Sequence, residues 1–79
     1  MNVKNPKYDI AFGENLKKLR TGRKLSRETL GAMAGIEAKQ IYLIEAKGQS
    51  PTVATVVALA LAMKLHPKKL LDFEFEFEE

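Results

Sequence analysis

Apolar residues recur at helical spacing along most of this chain and switch to strict alternation at its end. Phe12, Leu16 and Leu19 fall at i, i+4 and i+7, which predicts a first helix from about Ile10 to Thr21. Asp9 is its expected cap and Gly22 its expected stop, with Glu14 and Lys18 paired four apart on the outer side. Residues 1–8, with Pro6 discouraging regular structure, read as a flexible arm. Ser26 is a good N-cap for a second helix from Arg27 to about Ala34. Gly35 can take the left-handed conformation that reverses the chain there. A third helix follows, from about Ala38 to Ala46.

Between Ser26 and Glu45 the pattern has two sides. Leu30, Ala34, Ile36, Ile41 and Ile44 are expected inside, while Arg27, Lys39, Gln40 and Tyr42 are expected outside. Two short helices joined at a glycine, the second with a polar, lysine-bearing outer face, are the way a helix is mounted for entry into a major groove. Lys47-Gly48-Gln49-Ser50-Pro51 is rich in turn residues. Thr52 then caps a fourth helix over roughly residues 53–63, with Val53, Val56, Val57, Ala60 and Leu61 as core candidates. Pro67 opens a short fifth helix that turns Leu70 and Leu71 inward. His66, just before it, reads as a weak cap or a surface residue.

The last eight residues, D-F-E-F-E-F-E-E, alternate. On a strand, Phe73, Phe75 and Phe77 share one face and the glutamates the other. Three readings are open: an acidic disordered tail, pairing with its own domain, or antiparallel pairing with the same tail of a second chain. Three phenylalanines on one face favour the pairing between chains, with Phe73, Phe75 and Phe77 as dimerisation residues. The expected division is therefore an arm (1–8), a helical domain (9–72) and an acidic, aromatic strand (73–79).

Seventy-nine residues make one domain. A core of this size supplies only about 3–5 kcal/mol, so a partner or second copy would help. Cysteine is absent, which removes disulfides, thiolate metal sites and redox motifs. The start, MNVKNPKYDI, has no long apolar run, and no segment is long enough to span a bilayer, so a cytoplasmic protein is expected. The net charge of +3 hides an asymmetry: residues 1–71 carry all 13 Lys and Arg against five acids, and residues 72–79 carry the other five acids. A body at +8 suits a polyanion, because phosphate neutralisation releases counterions.

In order and spacing, the L-R of Leu19-Arg20, S-R-E-T-L-G, A-G-I across the turn, Q-I-Y-L-I-E, S-P-T and L-A-M-K-L-H-P-K-K-L-L form a recognisable series. From about Phe12 to Asp72 the chain resembles the lambda-repressor and Cro-type helix-turn-helix proteins, also called xenobiotic-response-element-like regulators. The resemblance implies an all-α, five-helix domain, to which the alternation of the tail adds a short C-terminal β-strand paired across a dimer. It also implies sequence-specific binding of double-stranded DNA by a homodimer that regulates transcription, as a repressor. Carried over by position, Ala38, Lys39, Gln40 and Leu43 approach base edges. Arg27, Lys47 and Gln49 touch phosphate. Tyr42 lies beside them, either packing its ring on the bundle or donating its hydroxyl to a phosphate. Arg20 and Glu45 are implied to form a structural ion pair.

Three residues depart from the family pattern. Glu37 stands where Ser or Thr usually caps the third helix, so its carboxylate would face phosphates. Gly31, where the family prefers Ala, is expected to loosen the second helix. Leu43 replaces a polar residue at a reading position, which suits a thymine methyl or a protein surface. The rival reading is an antitoxin-type protein, which binds a toxin through Leu43 or the tail phenylalanines and also binds its own operator. An enzyme is not expected: there is one histidine, no cysteine, no paired carboxylates within the fold and no glycine-rich phosphate loop. No metal and no cofactor are expected.

Overall fold

In a computed structural model, which describes residues 5–76, the chain forms four α-helices and one 3₁₀ helix. These are α1 (Pro6–Gly22), α2 (Arg27–Ala34), α3 (Ala38–Lys47), α4 (Val53–Ala62) and a 3₁₀ segment over Pro67–Leu71. The expected fifth α-helix is thus a single tight turn. Pro67 starts it, and His66 acts as its cap, Nδ1 accepting from the Lys68 N–H at 3.1 Å.

The first helix begins earlier than the arm reading allowed. The Asn5 side chain accepts from the Tyr8 N–H at 3.1 Å, and Pro6 occupies the first helical position. A proline there loses nothing, since that N–H has no helical partner in any case. Asp9 therefore sits inside the first turn, where its charge complements the helix dipole. The helix ends at Gly22 as expected, but Gly22 is not the residue that reverses the chain. That role falls to Lys24 at φ 56°, with the Lys24 N–H bonded to the Thr21 carbonyl and the Leu25 N–H to the Arg20 carbonyl. Lys64, at φ 59°, closes α4 by the same double bond pattern.

The core consists of Phe12, Leu16, Leu30, Ile41, Ile44, Leu59, Ala60, Met63 and Leu70. Helix α1 packs on α3, α2 on α3 and α4, and the 3₁₀ segment on α4 and α1. Of the core candidates in α4, Ala60 is buried and Val56 and Val57 are half-buried, but Val53 is 80% exposed and Leu61 62%. V-A-T-V-V-A-L-A-L-A is apolar almost all round, so its periodicity does not single out the inner face. Leu71, expected inside with Leu70, is also exposed.

Two glycines set helix spacing. A Cβ at Gly13 would overlap the Ile44 carbonyl, and one at Gly31 would overlap the Ile36 carbonyl. Gly31 therefore does not loosen α2; it lets the turn into α3 lie against it. Asn15 Nδ2 donates to the carbonyls of Lys69 and Leu70 at 3.1 and 3.0 Å, fastening α1 to the 3₁₀ segment.

The tail forms no strand among the described residues. Phe73 and Phe75 instead meet the Tyr8 ring edge-on, with centroids 5.0 and 4.9 Å away, while Glu74 and Glu76 face solvent. Alternation has served to turn two rings onto α1 rather than to build a ladder, which needs a second backbone edge. This contact is with the chain's own domain, and it gives no support to a strand paired between chains. Phe77 lies outside the described residues.

Candidate nucleic-acid interface

The site starts from the turn between α2 and α3. Ser26 caps α2 through the Thr29 N–H at 3.0 Å, and Gly35, at φ 73°, redirects the chain. Glu37 holds the cap position of α3 in extended conformation but makes no side-chain cap bond. The first N–H groups of α3 are thus left uncapped by that carboxylate.

Helix α3 is anchored from beneath. The Glu45 side chain is fully buried. Its Oε2 accepts from Arg20 Nε at 2.8 Å, and its Oε1 accepts from Arg20 Nη2 at 2.9 Å. Arg20 Nη1 also donates to the Leu25 carbonyl at 2.7 Å, so one guanidinium joins the end of α1, the loop before α2 and α3. The hydrogen bond to Glu45 holds Arg20 above the usual arginine range, against the lowering effect of burial, with the charges of Glu45 and Glu28 adding to it. A fork-to-fork pair of this kind fixes orientation as well as charge.

Arg27 joins the same carboxylate. Its Nε donates to Glu45 Oε1 at 3.0 Å, and its guanidinium carbon lies 5.2 Å from the centre of the Tyr42 ring. Arg27 is expected outside, on phosphate or as a surface charge in the first turn. Its side chain is instead 30% exposed and held on two sides. Two arginines on one carboxylate leave one positive charge in surplus, carried on the more exposed of the two. Tyr42 packs its ring on Arg27 of α2, which is the bundle-packing one of its two readings with a partner that reading did not name.

Around this anchor, Lys39, Tyr42, Lys47 and Gln49 are exposed, and Ala38, Gln40 and Leu43 are half-buried. Lys39, Leu43 and Lys47 follow one another at spacings of four, so they form one row along α3. Gly48, at φ 67°, ends the helix, and the Gln49 N–H bonds back to the Leu43 carbonyl at 3.1 Å. Lys39, Tyr42 and Lys47 on the outer side of α3 are open to solvent in this chain. Among the described residues, no group of His, Asp and Glu is arranged to hold a metal ion, and no helix is long and apolar enough to cross a membrane.

Sequence reasoning missed the Arg27–Glu45 and Arg27–Tyr42 contacts. Arg27 and Glu45 are 18 residues apart on different helices, so no local spacing announces their meeting. It also missed Arg23, whose Nε donates to the Met63 carbonyl at 3.2 Å and ties the ends of α1 and α4 together. The aromatic patch that an antitoxin-type reading needs is not displayed by Phe73 and Phe75, which pack on Tyr8.

Comparison with known proteins agrees with this geometry. A helix-turn-helix family model matches residues 16–70. The chain belongs to the helix-turn-helix family. Within it, the match is to the lambda-repressor-like, xenobiotic-response-element class of DNA-binding regulators of transcription. Among solved structures, the chain is similar to the restriction-modification controller protein C.AhdI from Aeromonas hydrophila. That likeness has 29% sequence identity and a TM-score of 0.75, and it covers 78% of this chain and 94% of the other. Among curated proteins, none matches.

Proposed function

We propose that this helix-turn-helix protein binds a specific operator as a homodimer and represses transcription there, in the cytoplasm. The observation that carries the reading is the outer row of α3, Lys39–Leu43–Lys47, standing free of the core on a helix anchored by the buried Arg20–Glu45 pair. Ala38, Lys39, Gln40 and Leu43 read base edges, Lys39 through guanine O6 and N7. Arg27, Lys47 and Gln49 contact phosphate, and Tyr42 holds Arg27 in place for that contact. Arg27 suits the role because Glu45 engages its Nε edge and leaves the Nη edge to an outside acceptor.

The homodimer is supported by exposed apolar side chains away from α3. Val53 and Leu71 are open to solvent and line a groove of about 380 Å³ with Tyr8, Phe12, Val56 and Val57. A two-fold dimer sets its reading helices about one helical turn (~34 Å) apart and so demands a palindrome. The test is selection of bound duplexes from a random pool. Enrichment of a symmetric motif supports the proposal, and recovery of unenriched DNA contradicts it.

A further inference from the structure

Leucine is an unexpected residue in the middle of a polar, basic helix face. Leu43 is half-buried and stands outside the core cluster, which on α3 takes Ile41 and Ile44. Its neighbours one turn away along the outer row are Lys39 and Lys47, both exposed. Tyr42, next to it, is engaged with Arg27. The outer row of α3 therefore presents one apolar side chain at mid-helix between two ammonium groups.

That combination selects among partners. A protein surface apolar enough to cover Leu43 would have to strip water from Lys39 and Lys47 without compensation. A nucleic-acid groove satisfies both demands, with phosphates on its walls and one apolar group, the thymine C5-methyl, on its floor. The other major-groove edges offer donors or acceptors that leucine would leave unpaired.

We infer that Leu43 is a specificity-determining residue that reads a thymine methyl in each half-site. This rests on the operator reading above and names the base that this position recognises. Lys47 supplies attraction to the backbone, and Lys39 as a donor can choose only a guanine, so a preference for thymine belongs to the leucine.

The probe is a duplex recovered by selection, with each thymine replaced in turn by deoxyuridine, which removes only the methyl. In each half-site one such replacement, made singly, should weaken the wild-type protein about four-fold, the value of burying one methyl group. With Leu43→Ala, the same replacement should change binding by less than about two-fold. Leu43→Gln, which restores a polar reader suited to adenine, should lose the thymine at that position on renewed selection. An equal loss for wild type and Leu43→Ala overturns the inference, as does a duplex on which no single methyl matters. Failure to enrich any motif sinks the operator reading itself, and this inference with it, which is a different and recognisable result.

Discussion

Glu45 is the residue on which the interface depends most. One buried carboxylate receives both Arg20 and Arg27, so its removal strands two cations at once. Truncating one partner of a buried pair costs about 3–5 kcal/mol, which is comparable to the whole stability of a domain this small. Glu45→Ala should therefore be largely unfolded at 25 °C, as urea denaturation followed by helical circular dichroism will report. Arg27→Ala should cost no more than about 1 kcal/mol, because its side chain is partly solvated. On DNA the order changes: Arg27→Ala should weaken all sequences alike and lower the slope of log affinity against log salt by about one. A preference for one duplex lost in Arg27→Ala would place this side chain on bases instead. The Arg20–Glu45 pair was available from the family resemblance. Arg27 was not, because its stacking on Tyr42 depends on how α2 crosses α3.

At the level of elements, local chemistry was easiest to read where it repeats a simple device. Ser26 and Thr52 cap α2 and α4, and Gly35 reverses the chain. The start of α1 is hard to read because a proline opposes helix in its interior, whereas with Asn5 before it Pro6 is a good first residue. The all-apolar α4 hid its inner face, and the alternating tail used its phenylalanines on Tyr8. The two lysine caps lead to a prediction. Lys24→Gly and Lys64→Gly should each stabilise by about 0.5–1 kcal/mol by relieving left-handed backbone, seen as a higher melting temperature. Gly13→Ala and Gly31→Ala test the opposite sign. Helix propensity favours alanine by about 1 kcal/mol, but the new Cβ would meet the Ile44 or Ile36 carbonyl, and both variants should melt lower. A rise in either melting temperature would show that these helices have room to part.

The whole molecule divides its surface in two. One side carries the basic row of α3, with Arg27 beside it. The apolar groove lies elsewhere, where α1, α4 and the 3₁₀ segment meet, and the acidic tail packs on Tyr8 at its edge. On the proposed reading, DNA and a second copy would meet different faces and would not compete. Val53→Lys, which puts a charge into the groove, should weaken self-association in sedimentation while leaving the helical spectrum intact. An unchanged dimer would move the contact to another face. The composition pointed to a polyanion partner, with a body at +8 and five acids in the last eight residues, and said nothing of an apolar face. Which face each group occupies follows only from the packing.

The central claim is that DNA meets the outer face of α3, and backbone amide shifts on adding a selected duplex test it most directly. The largest changes are predicted at Lys39, Gln40, Tyr42, Leu43 and Arg27, with Val53, Val57 and Leu71 little affected at constant oligomeric state. Shifts concentrated along the groove while α3 stays silent would contradict the account.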